Sequence, residues 1–246
     1  MKSIIAFTGK ARSGKDTSCT LVRNALTEKG YKVKVFAFAD NLKNTAGDIF
    51  NLTWEDLYGD TKETPQVFTL THSALSSQVI WAFYRHMQDK DIHKDLKLCG
   101  ELTDKLIKEL KKVGKPTLLT RLGLRNEYKI SSRQIQQVWG SEVVRKILGE
   151  RFWIIDLAER MEKFFGECHT EDHEGIALIC DLRFDIEAEF LQSYDSKIIE
   201  VKRDNTTQVA SHHSEKGIST LFERDIIQNN GTMDELESKL KAIIGI

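Results

Sequence analysis

The sequence predicts an α/β protein, a three-layer doubly wound parallel sheet, on three observations. A short apolar run, Ser3-Ile-Ile-Ala-Phe-Thr8, leads into a glycine-bounded loop, Gly9-Lys-Ala-Arg-Ser-Gly14-Lys15, and then into a helical pattern. Apolar segments of strand length recur at Lys32–Phe38, Gly175–Cys180, Lys197–Val201 and Asp225–Ile227, with helical spacings between them. The 246 residues suffice for one large domain with an ample core. Strands that alternate with helices need crossover connections, which favours parallel pairing with helices on both faces.

The elements follow in order. After the loop, Cys19, Leu21, Val22, Ala25 and Leu26 recur at helical spacing, and Gly30 ends that helix. Lys32-Val-Lys-Val-Phe-Ala-Phe38 alternates as the second strand. Residues 42 to about 165 read as mostly helical, with turn signals at Tyr58-Gly-Asp60, Gly114-Lys-Pro116 and Leu122-Gly-Leu124. The charged stretch 85–129 holds an amphipathic helix around Leu106-Ile-Lys-Glu-Leu-Lys-Lys112, whose polar side reads as a solvated face. Gly175-Ile-Ala-Leu-Ile-Cys180 is continuously apolar, as a strand covered on both faces is. A helix over about Asp185–Tyr194, the strand at 197–201, a polar segment 203–216, the strand at 225–227 and a closing helix Asp234–Ile244 complete the chain.

The loop carries the clearest chemistry. Its glycines let the backbone turn tightly, so N–H groups converge on phosphate oxygens, and the next helix points its positive end at the same place. Lys15 adds a mobile positive charge. The G-x-x-x-x-G-K pattern continues elsewhere with a hydroxyl residue that ligates Mg²⁺. Here that position is Asp16, and the hydroxyl comes one residue later, at Thr17.

Such a loop needs an acidic partner at the end of a neighbouring strand, and Asp181 follows the strand at 175–180. Asp181 and Arg183 share a side for as long as the strand persists, and Arg183 and Glu187 share a face of the ensuing helix. A surface salt-bridge cluster is the other reading of these three charges. A second constellation runs Ser132-Arg133 to Gln137, then Val-Trp-Gly140-Ser141, then Arg145. Arg133 and Gln137 share a helix face, and Gly140-Ser141 is placed to end or break that helix. A guanidinium suits a phosphate and an amide suits a sugar or base. Trp139 reads as core, whereas Trp153 divides evenly between core packing and a base or sugar contact. Lys43 follows the second strand, where an acceptor's phosphate would lie. Cys168-His169 with His173 is a thin zinc set, better read as a solvated turn, and His212-His213 reads as surface.

Composition narrows the class. Hydrophobic residues at 40% and charged residues at 30% describe a soluble globular chain. A net charge of −1 argues against a nucleic-acid backbone as the main partner. No apolar run approaches the roughly 18 residues of a membrane span, and no secretion leader is expected. Four cysteines without paired spacing point to a reduced cytoplasmic setting. Oligomeric state stays open, a homodimer included.

These residues resemble the bacteriophage deoxynucleoside monophosphate kinases, within the P-loop nucleoside monophosphate kinases. The resemblance rests on Gly9 to Thr17, Phe38 to Lys43, Arg133 to Trp153, Asp181-Leu-Arg183 with Glu187, and Asn229-Asn-Gly-Thr-Met-Asp-Glu-Leu236, while much of 63–130 has no clear match. It implies a single domain with its core at about 1–40 and 175–246, a helical acceptor-binding part at about 41–165 and a short lid at about 203–217. It implies that Arg12, Gly14, Lys15, Asp16 and Thr17 hold ATP, with Asp16 and Thr17 toward Mg²⁺. By the same resemblance Lys43, Lys62, Arg133, Gly140, Ser141, Trp153, Asp181, Arg183 and Glu187 surround a deoxynucleoside monophosphate. Ala11 departs from a Lys found in relatives, and Ser141 stands where Thr is common. The expected reaction is ATP + dNMP → ADP + dNDP in the host cytoplasm, with Lys15, Arg12, Arg133 and Arg183 stabilising charge and Asp181 beside them. A kinase for another small phosphorylated acceptor, of the phosphomevalonate or dephospho-coenzyme A type, is the alternative; a non-catalytic nucleotide switch is another.

Overall fold

The computed structural model describes residues 2–204 and 217–246, so most of the expected lid, with His212 and His213, lies outside the described residues. Eight strands occur in chain order: β1 (Lys2–Thr8), β2 (Lys32–Phe36), β3 (Pro65–Thr69), β4 (Lys115–Pro116), β5 (Glu127–Ser131), β6 (Gly175–Ile179), β7 (Asp195–Lys202) and β8 (Asp225–Gln228). The chain divides into two compact units, Met1–Phe38 with Ile154–Ile246, and Ala39–Trp153.

The first unit is the expected parallel sheet. Its strand order is β2-β6-β1-β7-β8, and each neighbouring pair is parallel. Alternation along β1 sets the layers, because successive side chains leave opposite faces. Ile4 and Ala6 join Leu157, Met161, Phe164 and Phe165 of the helix Phe152–Thr170 on one side. Ile5 and Phe7 join Cys19, Val22 and Leu26 of the helix Lys15–Glu28, and Leu236 and Leu240 of the helix Met233–Ile244, on the other. Every residue of β6 is buried, which accounts for its unbroken apolar sequence. β1 is flanked by β6 and β7, so the loop that follows it opens at the carboxyl end of the sheet's middle strand. Ligands of such sheets bind at that end.

The second unit has its own core, built from Phe50, Leu70, Phe83, Leu102, Leu106, Leu110, Trp139 and their neighbours. The helix Leu96–Val113 contributes Leu102, Leu106 and Leu110 at one-turn spacing, all fully buried, with its lysines on the solvated side. This unit is mostly helical, in keeping with the sequence, but strands that the sequence did not predict lie within it. It holds a small antiparallel sheet, β3-β5-β4, in which Pro65 pairs with Ser131 and Pro116 with Tyr128. The strands escaped the sequence reading because β4 has only two residues and β3 only alternates between exposed and half-buried positions. Among the described residues no helix is long and apolar enough to cross a membrane.

Candidate active site

The phosphate loop is built from close contacts that admit no side chain. At Gly9, φ is 139°, and a Cβ would stand 2.3 Å from the Val201 carbonyl oxygen. At Gly14, φ is 100°, and a Cβ would stand 2.3 Å from Asn229 Nδ2. Arg12, with φ 62°, adopts the left-handed region without being glycine, a cost tolerated where the surroundings enforce it. Left-handed residues inside a tight turn are the backbone pattern from which anion-binding nests are made.

Gly14 is the N-cap of the helix Lys15–Glu28, and no side chain caps that end. Its first N–H groups and its dipole therefore favour an anion at this point. Lys15 reaches back across the loop, donating from Nζ to the Lys10 carbonyl at 3.3 Å. Ser13 is buried, and its Oγ, without a hydrogen-bond partner, lies where a Gly9 Cβ would come within 2.9 Å. Asp16 is exposed in the first helical turn, and Thr17 beside it is half-buried.

Asp181 is set at the loop's flank by its neighbours. The Cys180 N–H donates to the Phe36 carbonyl at 3.1 Å, at the end of β2, and the Leu182 N–H donates to the Phe7 carbonyl at 3.2 Å, on β1. Between them, Asp181 Oδ1 accepts the Phe38 N–H at 2.7 Å. The carboxylate thus stands at the carboxyl ends of adjacent strands.

Two local expectations fail here. β6 ends at Ile179, so strand alternation does not place Asp181 and Arg183. The next helix begins at Asp185, so Arg183 precedes it and shares no helix face with Glu187. Glu187 instead is 2% exposed, and its Oε2 accepts the backbone N–H groups of Arg183 at 3.0 Å and Phe184 at 3.1 Å. It caps the helix and fixes the backbone that presents Arg183. The thin zinc set is also taken up structurally, since Cys168 is buried in the core and its carbonyl accepts the His173 N–H at 2.9 Å.

The remaining candidate site residues lie in the second unit. Lys43, on the helix Asp40–Phe50, places its Nζ 4.1 Å from the centre of the Tyr58 ring. Lys62 lies half-buried in the turn Asp60–Glu63, and Glu63 Oε1 accepts from Arg133 Nη1 at 3.0 Å. That turn is organised by Asp56, which accepts from Thr53 N–H at 2.9 Å, Thr53 Oγ1 at 2.7 Å, Thr61 Oγ1 at 3.3 Å and Gln66 Nε2 at 2.6 Å. These bonds, the Thr53 hydroxyl foremost, hold the Asp56 carboxyl below its ordinary pKa.

Gly140 and Ser141 do not end the helix. They lie in a π-helical stretch, Val138–Val144, that continues the helix Ser132–Gln137. Such widened turns are frequent at functional sites. A Cβ at Gly140 would come within 2.2 Å of Leu42 Cδ1, so the stretch packs beside the residue preceding Lys43. Trp139 donates to Thr45 Oγ1 at 2.8 Å and ties the stretch to that same helix. The two readings of Trp153 part on burial. Its ring is 1% exposed within the core, and its Nε1 donates to the Gly140 carbonyl at 3.3 Å.

Sequence reasoning did not assign Asn229, whose Nδ2 donates to the Ser13 carbonyl at 2.8 Å. Its signal was the Asn-Asn-Gly turn just past the last strand. Nor did it find Arg160, which donates to Asp156 Oδ2 at 3.0 Å and to the Ala37 carbonyl at 2.9 Å, beside Phe38.

Comparison with known proteins covers nearly all of the chain. The family described as Deoxynucleotide monophosphate kinase matches residues 3–240, from the first strand to the last helix. The chain is 29% identical over 238 residues to the deoxynucleoside-5'-monophosphate kinase of Escherichia phage T5, spanning 90% of this chain and 87% of that protein. With the phosphate loop, Asp181 and the candidate cations of the second unit all inside the matched residues, the chain belongs to the deoxynucleotide monophosphate kinase family.

Proposed function

We propose that the chain transfers the terminal phosphoryl group of ATP to a deoxynucleoside 5'-monophosphate, giving ADP and a deoxynucleoside diphosphate. The observation that carries this reading is the loop: two glycine positions closed to any side chain, an uncapped helix end and a lysine folded across them. A cradle that a Cβ would fill and a buried, unpartnered hydroxyl at Ser13 fit a polyphosphate.

Phosphoryl transfer to a phosphate oxygen needs no strong general base, because the acceptor is already anionic. The acceptor oxygen forms the new bond to phosphorus, the bond to the β-phosphate breaks, and its electron pair leaves with ADP. What the protein supplies is placement and positive charge. In this reading Lys15 and Arg12 neutralise the donor phosphates, while Lys43, Lys62 and Arg133 hold the acceptor phosphate. Arg183, presented by the Glu187 cap, adds charge at the transferring group. Ser141 offers its hydroxyl from the π-helical stretch, where Gly140 keeps the backbone close to Leu42.

Mg²⁺, when bound with the nucleotide, neutralises phosphate charge and fixes the oxygens in line. Asp16 and Thr17, at the helix start, are the residues that would hold it, with the Asp181 carboxylate at the neighbouring strand's end as an acidic partner. Among the described residues no group of three or more His, Cys, Asp or Glu side chains stands ready for a metal. Bound with the nucleotide, such an ion would take further ligands from the phosphate oxygens. The four cysteines are free thiols, which fits work in a reducing cytoplasm.

An ADP-release assay with Mg-ATP and a panel of deoxy- and ribonucleoside monophosphates tests the reading. Turnover with deoxynucleoside monophosphates is expected. Tight nucleotide retention without turnover on any acceptor would overturn it in favour of a switch.

A further inference from the structure

We propose that Asn229 is a positioning residue that sets the direction of a peptide group in the phosphate loop. The inference rests on the reading of that loop as the nucleotide's phosphate site. Asn229 sits one residue past β8, and its own N–H donates to the Lys202 carbonyl at 2.7 Å, prolonging the β7–β8 ladder. Its side chain then crosses to the loop, Nδ2 donating to the Ser13 carbonyl at 2.8 Å. Only the amide nitrogen can make this bond, since both carbonyl oxygens are acceptors.

The consequence lies in peptide geometry. In a trans peptide the carbonyl of one residue and the N–H of the next point in opposite directions. Holding the Ser13 carbonyl toward Asn229 therefore turns the Gly14 N–H away from Asn229. If that peptide flipped, a carbonyl oxygen would replace an N–H on the side where the loop and helix end present their donors. A loop that must meet an anion would then show it a negative dipole. Gly14 adopts φ 100°, so its flanking peptides depend on outside contacts rather than on side-chain sterics to hold one orientation.

Two further observations show the grip to be built. The Asn229 amide fills the space that a Cβ at Gly14 would take, so loop and amide are fitted to each other. The next residue is held as firmly: Asn230 Nδ2 donates to Asp204 Oδ2 at 2.7 Å, and Asn230 Oδ1 accepts the Asp204 N–H at 2.9 Å. One asparagine anchors the turn to the end of β7, and the other uses that anchored turn to hold the loop.

The test compares wild type with Asn229→Ala and with the isosteric Asn229→Asp, which keeps the shape and removes the donor. ADP affinity by calorimetry, the separate KM values for ATP and deoxynucleoside monophosphate, and the melting temperature are read for all three. Both variants should weaken ADP and raise the KM for ATP by about three- to tenfold for the lost bond, Asp more than Ala because it sets a carboxylate against a carbonyl. The KM for the acceptor should stay within about twofold, since no acceptor group is touched. ADP affinities within twofold of wild type in both variants would overturn the proposal. Parallel rises in both KM values with a large fall in melting temperature would overturn it too, by making Asn229 a stability residue. Failure of the wild type itself to bind ADP would remove the nucleotide-loop reading instead, so the two failures are distinct.

Discussion

Lys15 and Cys19 lie one turn apart on the same helix, and their environments assign them opposite chemistry. Lys15 is half-buried with its ammonium folded across the loop. Lys15→Ala should lower kcat by about 10²–10³, the loss typical for one donor aimed at developing charge, with an unchanged circular dichroism spectrum. A variant that keeps wild-type kcat would remove the loop from the chemistry. Cys19 is 3% exposed beneath the sheet, and burial, with Asp16 adding to it, pushes its thiol pKa up to about 12. Native protein at pH 8 should therefore resist alkylation at Cys19 until it is unfolded, as peptide mapping after iodoacetamide would show. The sign for stability follows. The unfolded thiol ionises above about pH 8.5 while the folded one stays protonated, so stability falls as pH rises from there toward 12. Trp153 shows where residue-level reading stops. Phe152-Trp-Ile-Ile155 has the same composition whether its indole faces a core or a ligand, and only the packing around Gly140 decides for the core. Trp153→Phe should accordingly cost about 0.5–1.5 kcal/mol of stability for the lost bond to the Gly140 carbonyl, which keeps its bond from the Arg145 N–H. It should also change kcat/KM for dGMP and GMP in the same proportion, which thermal melts and paired kinetics would check.

Elements position what residues do, and Asp56 makes the case for the turn that carries Lys62 and Glu63. Its carboxylate gathers four hydrogen bonds from Thr53, Thr61 and Gln66, and Glu63 in turn holds Arg133. Asp56→Ala should loosen this turn, lower stability by about 1–3 kcal/mol and raise the KM for the acceptor while leaving the KM for ATP unchanged. Because the folded carboxyl titrates below its unfolded value, this contribution is complete above about pH 4 and is lost as acid protonates it. The five strands of the parallel sheet were legible nearly to their ends, since β1, β2, β6, β7 and β8 each coincide with an apolar or alternating run. The π-helical stretch was not. Gly140-Ser141 carries a helix-breaking signal, yet the helix continues through a widened turn in which the Arg145 N–H donates to the Gly140 carbonyl. β3 and β5 were illegible because what stabilises them is pairing between segments roughly 60 residues apart, which no local pattern records, and β4 because two residues are too few to show a pattern.

At the scale of the whole molecule, each unit encloses its own core, and the second is one uninterrupted piece of chain. Residues 39–153 expressed alone should therefore fold, giving a helical far-UV spectrum and a cooperative thermal transition; a spectrum without such a transition would refute this. The loop was legible because its chemistry is local, nine residues from Gly9 to Thr17. The rest of the site was legible only as separate fragments, since the contacts that set Lys43 against Tyr58 and Arg133 against Glu63 arise from folding rather than from spacing.

The first unit, by contrast, is written in two pieces, and this bears on how the protein comes into being. β1 leaves the ribosome early, yet the strands on either side of it, β6 and β7, begin only at Gly175 and Asp195. At ordinary rates of translation that delay is on the order of ten seconds or more. Throughout it Ile4, Ile5 and Phe7 have no partner strand, while residues 39–153 are already complete and free to fold. The nucleotide site is thus completed only after residues 39–153 are made, and its first strand is the stretch that a nascent-chain chaperone has most reason to shield.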